Sequence, residues 1–142
     1  YMAYEDLSNP MRIFLEGLNA FHESEHFYKG RYTDRDKIDK NLKYPSALHP
    51  IIRTHPETKK KAIYVNRFFT TRIEGLNQQE SKLILDYLFN HCENIDFQIR
   101  YRWHKNDMAF WDNRCTLHKA IWDYHPMERK GRRVTIKGTR PY

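Results

Sequence analysis

A run of alternating side chains near the C-terminus constrains the fold of this chain more than any other feature. The alternation sets apolar residues against polar ones: Phe97, Ile99, Tyr101 and Trp103 against Gln98, Arg100 and Arg102. Because successive side chains of a β-strand point to opposite faces, this pattern predicts a strand with one buried and one solvated face. Shorter apolar segments predict further strands over 108–111, 116–120 and 132–137, which makes the C-terminal half rich in β-structure.

The N-terminal half contains the first of two predicted helices, and the second follows further along the chain. Asn9 and Pro10 form an N-cap and a first helical position, and an apolar stripe at three- and four-residue spacing follows them. The stripe consists of Met11, Phe14, Leu15, Leu18 and Phe21. A second helix begins at Asn77, where Glu80 completes a capping box. Its apolar face comprises Ile84, Leu85, Leu88, Phe89 and Cys92.

The remaining segments complete a mainly β architecture with helices. Two strands over 48–54 and 62–66 are joined by the polar loop 55–60. Residues 24–46 show no periodicity, and we interpret them as a mobile excursion of the kind that covers active sites. Short strands at hairpin spacing, with helices laid outside them, predict an α+β chain of one domain built as a jelly-roll barrel.

Composition argues against several functional classes. The chain carries 25 Lys and Arg against 18 Asp and Glu, but the basic residues are scattered and the aromatic residues follow strand periodicity, so we expect no nucleic-acid partner. No apolar run is long enough to span a membrane, and no presequence is visible. Cys92 and Cys115 lack metal-ligand spacing, so we expect free thiols in a reducing cytoplasm. The expected assembly is a homo-oligomer that binds a small anionic substrate.

One histidine and two arginines near the C-terminus suggest a chemistry. His118 follows a short predicted strand, and Arg129 and Arg133 lie 11 and 15 residues further on. In an iron(II) oxygenase two imidazoles and one carboxylate hold the metal, and His118 would be the ligand from a distant strand. Arginines four residues apart face the same side of an extended chain and bind carboxylates or sulfonates through planar forks. Spacing alone also fits two simpler interpretations. His118 would then be a hydrogen-bonded structural residue, and the two arginines would belong to a solvated basic hairpin.

The order of several motifs resembles the taurine dioxygenase family, whose members use iron(II) and 2-oxoglutarate. The matching landmarks are His49-Pro50, Arg53-Thr54-His55-Pro56, Val65-Asn66, Phe69-Thr70-Thr71-Arg72-Ile73, Trp111-Asp112-Asn113-Arg114, Thr116, His118, Arg133, Thr135-Ile136 and Gly138. They extend over residues 4–142 and are similar to the C-terminal half of that family's domain. The resemblance implies that residues 1–142 form one half of a double-stranded β-helix (jelly-roll) oxygenase domain, a fold that is incomplete in this chain.

The resemblance assigns roles to four residues. His118 is similar to the family's second histidine ligand of Fe(II), and Arg129 to the arginine that binds the distal carboxylate of 2-oxoglutarate. Arg133 resembles the arginine that receives the sulfonate of the substrate. Phe69 matches an aromatic residue of the substrate pocket, with a core phenylalanine as the alternative. The implied reaction hydroxylates a small sulfonate such as taurine and releases sulfite, with succinate and CO2 as co-products.

The resemblance leaves other interpretations open. In the family, the His-x-Asp pair of iron ligands lies upstream of the position that corresponds to Tyr1. Two segments of this chain have the same ligand-like spacing, His55-Pro56-Glu57 and His91-Cys92-Glu93. They do not replace the pair, because the first aligns with a loop and the second with a helix end. A related dioxygenase acting on carboxylates or sulfate esters fits the same motifs, as does a truncated relative without catalysis. His22-Glu23-Ser24-Glu25-His26 matches the HExxH motif of zinc hydrolases, although helical periodicity ends there and Glu25 adds a charge.

Overall fold

The computed structural model describes residues 1–29 and 43–142 as short helices, antiparallel strands and a long irregular C-terminal segment. The helices of these ranges are α1 (Met2–Asp6), α2 (Asn9–Leu15), α3 (Glu25–Tyr28) and α4 (Gln78–Cys92), with a 3₁₀ turn at Ile95–Phe97. The strands are β1 (Asn19–Glu23), β2 (Ser46–Pro50), β3 (Ile52–Thr54), β4 (Lys61–Ile63) and β5 (Thr70–Ile73). The α+β class predicted from the sequence is confirmed.

The first predicted helix begins one residue earlier than expected, at Asn9 instead of Pro10, and it ends early. Ser8 caps α2, because its Oγ accepts a hydrogen bond from the backbone N–H of Met11 at 3.4 Å. The chain leaves the helix after Leu15 and turns at Gly17, whose φ of +87° is a conformation that favours glycine. The prediction that the helical stripe continues to Phe21 is wrong, since β1 begins two residues after this turn and pairs on both sides.

The strands form two antiparallel units. In the first, β1 lies between β2 and β5, and Ala20 is opposite both His49 and Ile73. In the second, β3 and β4 form a hairpin in which Arg53 is opposite Ala62. The predicted strand over 48–54 is divided at the fully buried Ile51, and the predicted strand over 62–66 ends at position 63. The hairpin around the polar loop 55–60 is confirmed.

Helix α4 covers the sheet as predicted. Its capping box is complete, because Glu80 N donates to Asn77 Oδ1 at 3.0 Å and Asn77 N donates to Glu80 Oε2 at 3.1 Å. Ser81 Oγ accepts a hydrogen bond from Ile73 N at 2.8 Å, which ties the first turn of α4 to β5. The helix and the strands share one core, formed by Leu7, Leu15, Ala20, Ile51, Ile52, Val65, Ile73, Leu85, Leu88 and Phe89.

The chain beyond the 3₁₀ turn has no regular strand or helix from residue 98 to residue 142. The strands predicted over 97–103, 108–111, 116–120 and 132–137 are therefore wrong. A strand is stable only where a neighbour satisfies its backbone groups, and in the described part of the chain the paired strands are β1 to β5 alone. The side chains of residues 98–103 are consequently exposed, and Ile99 retains 93% of its accessible surface.

The predicted excursion over residues 24–46 lies mostly outside the described residues. At its start Glu25–Tyr28 forms α3, and at its end Ser46 begins β2. Of the helices in residues 1–29 and 43–142, none has the length and apolar character that crossing a bilayer requires.

Candidate functional site

A cavity of about 400 Å³ lies where the three-stranded sheet meets the irregular C-terminal segment. Its walls come from β1, from β2, from the chain between β4 and β5, and from residues 113–118. The lining side chains are His22, Glu23, Pro45, Ala47, His49, Tyr64, Asn66, Phe69, Asn113, Thr116 and His118. Two of the four residues that the sequence analysis assigned to a site are among them.

Two neutral imidazoles and a phenol form one wall of this cavity. The ring centroids of His22 and His49 are 5.1 Å apart, and they lie 5.7 and 5.8 Å from the ring of Tyr64. Burial, and after it the neighbouring His49, lowers the pKa of His22 to about 4. Burial also lowers the pKa of His49, followed by the positive charges of Arg140 and Arg53. Both imidazoles are therefore mainly uncharged at pH 7.

Phe69 reaches the cavity because the turn before β5 is fixed by side-chain hydrogen bonds. Asn66 Oδ1 accepts from the backbone N–H groups of Phe68 and Phe69, at 3.1 and 3.0 Å. The carbonyl oxygen of Phe69 accepts from Glu23 N at 2.8 Å, which joins the turn to β1. The ring of Phe69 contacts that of Phe27 at a centroid distance of 5.3 Å. Its predicted part in substrate binding stays a prediction.

His118 belongs to the C-terminal segment without regular structure. It is exposed, it lines the cavity, and its ring centroid lies 5.0 Å from that of Trp111. The structure thus brings His118 and Phe69 to the same cavity, although they are far apart in the sequence.

Asp112 attaches the segment that carries His118 to the β3–β4 hairpin. Its Oδ2 lies 3.0 Å from Nε2 of His55, a side chain that is only 4% exposed. Arg114 Nε donates to Asp112 Oδ1 at 2.9 Å, and Arg114 Nη2 donates to Asp112 Oδ2 at 2.7 Å. Arg114 Nη1 also donates to Glu57 Oε1 at 2.7 Å. We call these four residues, His55, Glu57, Asp112 and Arg114, the Asp112 clamp.

The hydrogen bonds of His55 fix its tautomer. Nδ1 accepts from the backbone N–H groups of Glu57 and Thr58, at 3.3 and 3.1 Å. Nε2 therefore carries the proton and donates it to Asp112. Arg114, and after it His55, holds the pKa of Asp112 well below the usual range of a carboxyl group, so Asp112 is ionised at neutral pH.

Arg129 and Arg133 lie away from this cavity. Both side chains are exposed, and the guanidinium carbon of Arg129 lies 5.9 Å from the ring centroid of Tyr124. Neither arginine is among the residues that line the cavity. Their predicted contacts with 2-oxoglutarate and with the substrate therefore stay predictions.

Of the three ligands of the expected iron site, the sequence predicted one in this chain, His118, and its part in metal binding stays a prediction. A facial triad needs two imidazoles and one carboxylate. Within residues 1–29 and 43–142, one group places three metal-type ligand atoms within 4.8 Å of one another, namely His55, Asp112 and Cys115. That group omits His118, and both nitrogens of His55 are already hydrogen-bonded. The donor set around His118 does not by itself fit a complete metal site.

The zinc-hydrolase interpretation is wrong. His22 and Glu23 belong to strand β1, whereas His26 lies in helix α3. The HExxH motif requires both histidines on one face of a single helix, with the glutamate beside them. In this chain Glu23 instead accepts hydrogen bonds from Thr71 Oγ1 at 2.6 Å and from Arg72 Nη1 at 3.1 Å.

No sequence pattern predicted the cluster formed by His22, His49 and Tyr64. The apolar stripe that continues to Phe21 concealed strand β1, and His22 stood out only as part of the HExxH motif. A signal was present, because Gly17 interrupts the helical stripe before Phe21. His49 was identified only as a landmark of the resemblance.

Comparison with known proteins bears on both the family and the fold. The family model described as Taurine catabolism dioxygenase TauD, TfdA family, matches residues 1–135. The chain is 36% identical over 141 residues to an alpha-ketoglutarate-dependent sulfonate dioxygenase of Saccharomyces cerevisiae. This match covers 98% of this chain and 34% of the yeast protein. It is 34% identical over 146 residues to an alpha-ketoglutarate-dependent sulfate ester dioxygenase of Pseudomonas putida, and this match covers 98% of this chain and 48% of that protein.

A solved structure agrees with these relatives. A taurine dioxygenase from Burkholderia xenovorans matches with a TM-score of 0.58 and 30% identity, over 72% of this chain and 32% of that chain. The chain thus spans about a third to a half of the length of the relatives it matches. Since the family model matches residues 1–135 of 142, the chain belongs to the TauD, TfdA family of taurine catabolism dioxygenases.

Proposed function

We propose that the full-length protein is an Fe(II)- and 2-oxoglutarate-dependent dioxygenase that oxidises a small sulfonate or sulfate ester. The observation that carries this proposal is the shared cavity of His118 and Phe69, in a chain whose relatives carry those two activities in their names. Iron(II) with 2-oxoglutarate would supply the dioxygen chemistry when bound. His118 would hold the metal from the C-terminal wall of the cavity.

The other side chains would bind and orient the reactants. Phe69 supplies an apolar surface for the carbon chain of the substrate, and the Asp112 clamp holds the segment that carries His118. Arg129 would bind the distal carboxylate of 2-oxoglutarate, and Arg133 would bind the sulfonate of the substrate, each through a bidentate pair. These two roles rest on the resemblance of the motif spacing.

Taurine is the substrate that we propose for the sulfonate activity, with a sulfate ester or a carboxylate as alternatives. Hydroxylation of the carbon that bears a sulfonate gives an unstable product, which breaks its carbon–sulfur bond to release sulfite and an aldehyde. Hydroxylation of the carbon that bears a sulfate ester releases sulfate and an aldehyde instead. In each case one dioxygen is consumed, and 2-oxoglutarate becomes succinate and CO2. We further propose a cytoplasmic location and a homo-oligomeric assembly.

The nature of the released anion tests the proposal. The full-length protein would be incubated with iron(II), 2-oxoglutarate and, in separate reactions, taurine, an alkyl sulfate and a phenoxyacetate. Succinate and sulfite are expected in equal amounts with taurine, and the His118→Ala variant should form neither. Sulfate from the alkyl sulfate alone would reassign the substrate class. Succinate formation in none of the reactions would support the non-catalytic alternative.

A further inference from the structure

Three buried nitrogen atoms without a hydrogen-bond partner surround one tyrosine. In residues 1–29 and 43–142 the buried side-chain atoms that lack a partner are His22 Nε2, His49 Nδ1 and Arg53 Nε. All three side chains contact Tyr64: the two imidazole centroids lie 5.7 and 5.8 Å from its ring, and the guanidinium carbon of Arg53 lies 4.8 Å from it. Because a buried polar atom without a partner is unfavourable, their clustering indicates a ligand that satisfies them together.

Arg53 is the most informative of these residues. It is 3% exposed, and no carboxylate of residues 1–29 and 43–142 forms an ion pair with its guanidinium. Buried charges in folded proteins are normally paired, and the ring of Tyr64 offsets only part of the cost of burying this one. A guanidinium offers a planar fork of donors that matches a carboxylate, sulfonate or sulfate group. The Nε of Arg53 is thus a buried donor that an oxyanion would satisfy.

The charges around the cluster decide against a metal ion. Two neutral imidazoles could bind a transition metal, but the positive charges of Arg53 and Arg140 act on His49 and oppose a second cation. The nearest acidic member of the cavity wall, Glu23, is already paired with Arg72 Nη1 at 3.1 Å. The net charge of the cluster is positive, so the ligand that it selects is an anion.

We propose that His22, His49, Arg53 and Tyr64 form an oxyanion subsite in the wall of the cavity, distinct from Arg129 and Arg133. His22, His49 and Tyr64 line the cavity, so an anion bound there lies beside their rings. Arg53 is not a lining residue; its guanidinium lies against the ring of Tyr64, behind this wall. The ligand class is a small tetrahedral or planar oxyanion. A free sulfite or sulfate ion and the sulfonate head group of a substrate present the same acceptor oxygens. The second occupant rests on the proposed function and would take the role assigned there to Arg133.

The subsite is tested by anion binding to the full-length protein without metal or 2-oxoglutarate, so that a failed dioxygenase assay leaves this result intact. Titration calorimetry would use sodium sulfate, sodium sulfite and taurine in turn, at an ionic strength held constant with chloride. Wild-type protein is expected to bind sulfate or sulfite. Binding of taurine as well would identify the substrate head group as an occupant, and binding of the inorganic ions alone would identify a free-anion site.

Two matched variants decide which residues bind the anion. Arg53→Gln is expected to weaken sulfate binding by about tenfold or more, because one charge-assisted fork is lost. Arg102→Gln removes the same charge from an exposed position outside the cavity wall and should bind as wild type does. If Arg53→Gln does not fold, His49→Gln takes its place and should weaken binding several-fold. Equal affinity in the cluster variant and Arg102→Gln, or no anion binding by wild type, would overturn the proposal.

Discussion

Replacing Asp112 with asparagine tests how firmly the segment that carries His118 is attached to the hairpin. The hydrogen bond from His55 is buried on the histidine side and charge-assisted, which is worth about 1.5–3 kcal/mol. Asparagine keeps a neutral acceptor at the same place, worth about 1 kcal/mol. The side chains of Arg114 and Asp112 are 30% and 33% exposed, so solvent screens the ion pair between them and its weakening adds little. We therefore expect a loss of about 1–2 kcal/mol in the free energy of unfolding.

Urea unfolding of the full-length protein measures this loss. With an m-value of about 2 kcal/mol/M, the midpoint should fall by roughly 0.5–1 M. Limited proteolysis should also cut residues 98–142 faster in the variant, because the clamp is one of few attachments of this segment. The matched control is Asp123→Asn, which removes an exposed ion pair with Arg100 and should change neither readout. Equal midpoints and equal cutting rates for Asp112→Asn and Asp123→Asn would refute the clamp.

Three further predictions concern the core, the cavity and the arginines. Ser81→Ala should lower the free energy of unfolding by about 1–3 kcal/mol, since Ile73 N would be left buried without an acceptor; an unchanged urea midpoint would contradict this. His22 has a folded pKa of about 4 and an unfolded pKa near 6.5, so its neutral form stabilises the fold at pH 7 and this contribution is lost as the pH falls through that window. Allowing for the partial exposure of His22, the free energy of unfolding of the wild type should fall by about 1 kcal/mol more than that of His22→Gln between pH 7 and pH 5. Parallel curves of this free energy against pH for the two proteins would contradict the prediction. Arg129→Ala should raise the KM for 2-oxoglutarate by roughly tenfold or more, whereas Arg133→Ala should leave it unchanged and impair substrate turnover; equal effects on both would mean that the roles are wrongly assigned.

Local signals in the sequence predicted the elements that depend on local chemistry. The capping box of Asn77 and Glu80 predicted the start of α4, and the apolar face of that helix predicted its burial. The polar loop 55–60 likewise predicted the β3–β4 hairpin, because a turn is specified by its own residues. Such features need no distant partner, and they could be identified from the sequence.

The errors fall where structure depends on residues far apart in the sequence. The alternation from Phe97 to Trp103 reports which side chains prefer burial, but a strand also requires a neighbour for its backbone. The paired strands of the described residues are β1 to β5, so that alternation stays unpaired. At the N-terminus, the positive φ of Gly17 ended the helix although the apolar spacing continued to Phe21.

The candidate site shows the same division. His118 and Phe69 were identified through motif spacing, and the structure places both at one cavity. His22 and His49 meet because β1 pairs with β2, and this register becomes visible only when the sheet is formed. Buried atoms without partners, such as Arg53 Nε, are likewise a property of packing that no sequence pattern reports.

The central claim is that His118 of this chain holds the metal of a 2-oxoglutarate-dependent dioxygenase. The most direct measurement is the anaerobic visible spectrum of the full-length protein with iron(II) and 2-oxoglutarate, compared with that of His118→Ala. We predict a charge-transfer band in the wild type that the substitution abolishes, while circular dichroism shows both proteins folded. A band that persists in His118→Ala, or no band in the wild type, would contradict the assignment of His118 as a ligand.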